Sequence, residues 1–163
     1  MYSVGEKIIY GENGVCTVTL IAPLDVDGSS KEKLYYHLRP LIGSGMYFSP
    51  IDSSTFTRPV MSRSEAEALI DLIPSIAPAI CSDTRFNHVD QFYKELFRLH
   101  TPEALVAIIK GLTIRTAEKK TKSAKSEASI KRAKEMLYGE LSVALDMDFN
   151  RTEKYIMEKV GEM

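Results

Sequence analysis

Tryptophan is absent from this chain of 163 residues, and cysteine, at two, and histidine, at three, are scarce. Each shortage removes a class of chemistry. Cys16 and Cys81 lie far apart, without metal-ligand spacing, and both have apolar neighbours. They predict buried free thiols in a reducing compartment rather than a disulfide. His37, His88 and His100 are too scattered for a metal cluster, and neither His-x-x-x-His nor Cys-x-x-Cys occurs. There is no glycine-rich dinucleotide motif and no phosphate loop. Gly43-Ser44-Gly45 places a serine between glycines, but it joins two predicted strands, whereas a nucleophile elbow joins a strand to a helix. A Cys16–His37 pair inside a barrel would lack a third group to orient the imidazole. Neither an enzyme nor a cofactor- or metal-dependent protein is expected. No run approaches the roughly 18 apolar residues of a membrane helix. Gly5-Glu6-Lys7 also interrupts the N-terminus where a secretory leader needs a continuous apolar stretch. These absences predict a cytoplasmic protein that does not engage membrane, and a monomer is expected.

Charge is present in balance but not evenly spread. The net charge is −1, yet residues 110–134 hold nine Lys/Arg against Glu118 and Glu127, a local +7, which leaves −8 on the rest. A basic segment on an otherwise acidic chain suits a local anionic contact such as a phosphate backbone, and equally suits a solvated lysine-rich loop.

The hydrophobic period changes once along the chain. Val4, Ile8 and Tyr10 share one strand parity, with Ile9 on the other face. Gly11 and Asn13-Gly14 supply a turn, and Val15, Thr17, Thr19 and Ile21 resume a β-branched alternation. Residues 25–30 form a turn cluster, residues 34–41 a third strand, Gly43-Ser44-Gly45 a hairpin turn and residues 46–50 a fourth strand, with Phe56 closing a last short one. So many short strands within residues 1–57 predict a small, strongly bent β-barrel. Residues 58–61 read as a linker. Beyond them the period becomes about 3.6, and residues 62–163 predict an all-α domain of about five helices.

Several start signals mark these helices. Ser62-x-x-Glu65 and Ser64-x-x-Glu67 are both capping boxes for a first helix through Ile73. Val89, Phe92, Tyr93, Leu96 and Leu99 make the apolar face of a second, and Thr101-Pro102 opens a third with Leu105, Ile108, Ile109 and Leu112 inward. Ile130, Ala133, Leu137, Leu141, Ala144 and Leu145 sustain a long fourth. Asn150-x-x-Glu153 would cap a fifth bearing Tyr155, Ile156 and Val160. Residues 118–129, rich in Lys, Ser and Ala, suit either a loop or a helix N-terminus.

Four stretches resemble the CarD/CdnL family of bacterial RNA polymerase-binding transcription regulators. The opening Val4-Gly5-Glu6, Ile8-Ile9-Tyr10 and Gly14-Val15 follow its first hairpin, and residues 35–41 with 46–52 its second. Residues 105–112 resemble one of its helices, with Gly111 at a usually acidic place. The closest likeness is Lys131-Arg132-Ala133-Lys134-Glu135-Met136-Leu137-Tyr138-Gly139-Glu140-Leu141. The resemblance spans both modules. It implies a Tudor-like, SH3-like barrel that binds the polymerase β subunit, and a helical domain that contacts promoter DNA at the melted edge and modulates open-complex stability. Tyr35, Tyr36, Met46, Tyr47 and Phe48 crowd the hairpin of residues 34–50, and strand alternation cannot send all five inward, so these residues, with Arg39, are the expected polymerase contacts. Arg85, His88, Lys119, Lys120, Lys122, Lys125, Lys131 and Arg132 are the implied DNA contacts, in a weak, polymerase-tethered association. Two departures accompany it. Asn87-His88-Val89-Asp90-Gln91 stands where many members carry Asn-Trp with basic residues, so the wedge is reduced to His88 and Asp90 offers phosphate the wrong charge. Phe48 replaces an arginine, which makes the polymerase contact more apolar. The competing expectation is an adaptor that binds polymerase or another partner without touching DNA.

Overall fold

In the computed structural model, residues 1–25, 33–118 and 123–163 are described. The chain divides into two compact units, 1–60 and 61–163.

The first unit is an antiparallel sheet of five strands: β1 (Lys7–Tyr10), β2 (Val15–Ala22), β3 (Tyr35–Pro40), β4 (Tyr47–Pro50) and β5 (Thr57–Pro59). Their order is β4-β3-β2-β1-β5, so the last strand returns beside the first. Among the described residues no ladder joins β4 to β5, and the sheet is not closed. Both edges are short and each ends in a proline, Pro50 or Pro59, which has no amide to offer a closing ladder. Arg58 and Pro59, which the sequence assigns to the linker, pair with Ile9 and Ile8. Gly11 and Gly14 carry the β1–β2 turn at φ 49° and 71°, values that favour glycine.

The alternation expected for β2 is broken by a bulge. Val18 pairs with Leu38, but the next partner of β3, His37, faces Leu20. Thr19 is the extra residue, and its Oγ1 donates to the His37 carbonyl at 3.0 Å. The bulge changes strand parity. Cys16 and Val18 therefore face the core before it and Ile21 packs there after it, together with Ile8, Tyr36 and Leu38. Cys16 is a free, buried thiol, and burial pushes its pKa up to about 11. Cys81 is free and half-buried.

The second unit contains α1 (Arg63–Leu72), α2 (Phe86–Phe97), α3 (Pro102–Glu118), α4 (Ala124–Leu145) and α5 (Phe149–Val160). Of the two rival capping boxes, Ser62 with Glu65 is the one formed. Thr101 Oγ1 accepts from the Ala104 amide at 3.3 Å ahead of α3. Ser123 caps α4, so the described part of the Lys/Ser/Ala-rich stretch is helix and cap. The cap of α5 is Asp148, not Asn150: the Asp148 carboxylate accepts from the Arg151 amide at 2.8 Å. Starting two residues earlier brings Phe149 into the helix, where its ring packs against Tyr138 at 6.1 Å. Leu99, expected on the apolar face of α2, lies beyond its end and is exposed. Leu105, Ile108, Ile109, Leu112, Leu137, Leu141, Leu145 and Ile156 build one core.

Between α1 and α2 the chain is strapped along α3. Lys110 Nζ donates to the Ile73 and Ile76 carbonyls at 2.6 and 2.9 Å, stopping the carbonyl end of α1 with a cation. The Ala79 amide donates to the Ala107 carbonyl at 2.9 Å, and the Tyr93 hydroxyl donates to the Ala79 carbonyl at 2.9 Å. Arg115 Nη1 donates to the Cys81 carbonyl at 3.3 Å. The strap lies so close that a Cβ at Gly111 would stand 2.0 Å from the Ala79 oxygen. A second tether anchors the start of the unit, where Glu140, 1% exposed, accepts the Met61 amide through Oε1 at 3.0 Å.

Candidate protein and nucleic-acid interfaces

Paired positions on neighbouring strands share a face. The bulge thus aligns Leu20, His37 and Phe48 in one row across β2, β3 and β4, on the face away from Leu38 and Tyr36. Leu20 and Phe48 are 49% and 47% exposed. The His37 ring meets Phe48 edge-on at 4.9 Å, and its Nε2 is buried without a hydrogen-bond partner among the described residues. Met46 is exposed beside them, its Sδ 3.7 Å from Thr19 Oγ1. Arg39 is exposed on the same strand as His37.

The other three expected positions divide differently. Tyr35 is half-buried opposite Pro50. Tyr47 is exposed and its ring lies 5.9 Å from that of Tyr10. Tyr36 is a core residue, 6% exposed, whose hydroxyl accepts the Tyr2 amide at 3.1 Å. It belongs to the parity of Leu38 and is closed to a partner. Leu20 is the residue the sequence reading missed, because its exposure depends on the bulge.

In the helical unit, the N-terminus of α2 gathers three of the residues implied to touch DNA. Arg85 immediately precedes the helix, His88 sits in its first turn, and Lys125 reaches over from α4. Neither Arg85 nor Lys125 is an unmatched cation, and His88 shares the acid that engages Arg85. Arg85 Nη2 donates to Asp83 Oδ2 at 2.7 Å and its Nε to Oδ1 at 3.1 Å, while His88 Nδ1 lies 2.7 Å from the same Oδ2. Asp90 sits 2.6 Å from Lys125 Nζ and 2.9 Å from Lys94 Nζ. The side chain and amide of Arg85, with His88, hold the Asp83 carboxyl well below the usual carboxylate range, and Lys125 with Lys94 lowers Asp90. Both acids therefore remain charged at neutral pH. Asp90, expected to offer phosphate the wrong charge, is paired with both lysines.

Phe86, the first residue of α2, is 65% exposed, with Lys125 Nζ 4.8 Å from its ring centre. It is the most exposed aromatic ring among the described residues, and the sequence reading passed over it in favour of His88. Lys131 and Arg132 lie roughly 10 Å further along α4 from Lys125, at 1.5 Å per residue. Lys131 is 3.8 Å from Glu135, and the Arg132 guanidinium covers the Phe97 ring at 5.0 Å. Lys119, Lys120 and Lys122 lie outside the described residues.

Among the described residues no group of His, Cys, Asp and Glu is arranged to hold a metal ion, and no helix is long and apolar enough to cross a membrane. No protein-family model and no curated protein matches the chain.

Proposed function

We propose that the chain is a transcription regulator whose first unit binds the RNA polymerase β subunit and whose helical unit contacts promoter DNA, modulating the stability of the open complex. The observation that carries this reading is the exposed aromatic on each unit. Phe48 stands in an apolar row with Leu20 and His37, and Phe86 stands among Arg85, His88 and Lys125. The strand order, a meander whose fifth strand returns beside the first, is in keeping with a Tudor-like half-barrel. The likeness of residues 131–141 to the CarD/CdnL helix supports the same assignment. In this reading Phe86, rather than His88, is the apolar group presented to the unpaired edge of the DNA.

Phe48 packs edge-on against His37 and contributes little to the core, so Phe48→Ala should fold. It should weaken binding to the isolated N-terminal lobe of the polymerase β subunit by about 1–3 kcal/mol, as truncation of an interface anchor does. Unchanged affinity by calorimetry removes the apolar row as the polymerase contact. On the helical unit, Phe86→Ala should shorten the lifetime of promoter complexes by about fivefold or more, because loss of an aromatic platform costs about 1–3 kcal/mol per base.

The adaptor reading is favoured by one observation: Asp83 and Asp90 already pair with Arg85, Lys94 and Lys125. A Phe86→Ala variant with wild-type promoter-complex decay and intact β-lobe binding would remove Phe86 as a DNA contact and favour the adaptor.

A further inference from the structure

A cavity of about 290 Å³ opens beside Phe86, between α2, the C-terminal part of α3 and the first turns of α4. We propose that it is a binding site for a single unpaired nucleotide, with the base inside and the phosphate at the rim. This rests on the DNA-contact reading and specifies what that surface takes.

Size is the first constraint. Small-molecule sites span about 300–1,000 Å³, so this one lies at the bottom of the range and suits one ring system rather than a dinucleotide or a macrocycle. The lining is the second. Phe86, Val89 and Leu112 supply apolar contact, and the Phe86 ring supplies a face on which a planar base can stack. Thr84 and Ser129 line the same space, and neither hydroxyl makes a hydrogen bond among the described residues. They are therefore available to the polar edge of a base. The third constraint is charge. Asp90 also lines the cavity but is paired with Lys125 and Lys94, while Arg115 lines it with one N–H engaged at the Cys81 carbonyl, leaving other guanidinium N–H groups for a phosphate. Lys125 stands at the Phe86 ring. Bases within a duplex are stacked and cannot enter, so the site discriminates single from double strands by geometry.

The test is fluorescence anisotropy of the full chain with a short labelled oligonucleotide, single-stranded and as its duplex, alongside calorimetry with AMP. The wild type should bind the single strand more tightly than the duplex. Ser129→Leu, which fills the space from a half-buried helical position, should weaken single-strand binding about tenfold and leave duplex binding within twofold. Thr84→Val, which keeps the shape and removes the hydroxyl, should weaken it about two- to fivefold. Circular dichroism establishes that each variant folds, and Thr84→Val serves if Ser129→Leu does not. AMP that binds and competes with the strand identifies the source as a free nucleotide, and AMP without effect identifies it as the strand. Variants that fold and bind single strands as the wild type does overturn the proposal. Tighter binding to duplex than to single strand overturns it while leaving DNA contact standing, and no binding to either overturns both.

Discussion

Gly111→Ala should destabilise the helical unit by about 2–3 kcal/mol, although it replaces the poorest ordinary helix former with the best. Helix propensity alone favours alanine by about 1 kcal/mol. The close approach of the strap reverses the sign. The new Cβ would lie 2.0 Å from the Ala79 oxygen and 2.7 Å from its carbonyl carbon, and both are backbone atoms with no rotamer to change. Ala79 is also fixed on both sides, its amide on Ala107 and its carbonyl on Tyr93. Moving it strains or breaks two hydrogen bonds at about 0.5–1.5 kcal/mol each, on top of an overpacking cost of about 1–3 kcal/mol. Urea unfolding followed by far-ultraviolet circular dichroism should show a lower midpoint with an unchanged slope. An alanine variant as stable as the wild type would mean that the strap does not lie on α3 as described.

Glu140→Ala should cost about 2–4 kcal/mol, and two of the losses can be told apart. Truncation leaves a cavity where a fully buried side chain stood, and it strips the Met61 amide of its acceptor. Glu140→Gln separates the two, since an amide oxygen can still accept from Met61 in nearly the same volume. It should retain most of the stability, with a loss of about 1 kcal/mol. Equal losses in the two variants, measured by the same urea titration, would show that the charge rather than the acceptor matters at this position.

The helical unit was largely legible because its signals are local. Apolar spacing at Leu105, Ile108, Ile109 and Leu112 marks the buried face of α3, and Ser62 with Glu65 marks a helix start, within a few residues of chain. Legibility fails where a contact joins distant parts. Gly111 looks like a weak point in a helix until Ala79 is placed on it. Asp148 displaces Asn150 as the cap because the earlier start allows Phe149 to reach Tyr138. The bulge at Thr19 is invisible in an unbroken β-branched alternation, yet it decides that Leu20 faces outward in the row of Phe48. The candidate sites were the least legible part. Crowding of aromatics along the hairpin selected Tyr36, which is buried, and resemblance selected His88, which is held by Asp83. Asp83 and Asp90 carry no signal of pairing beyond their closeness in sequence to Arg85 and Lys94, and Phe86 reads as one more apolar residue of a helix until its exposure is known.

An unclosed sheet offers other chains a row of backbone groups on which to grow, strand upon strand, into fibrous aggregates. The two prolines bear on that hazard. With four residues in β4 and three in β5, each ending in a residue that cannot donate, an added strand finds only a short ladder before the pairing fails. Such an edge is too brief to template the next layer, so the unit keeps its sheet open without courting runaway self-association.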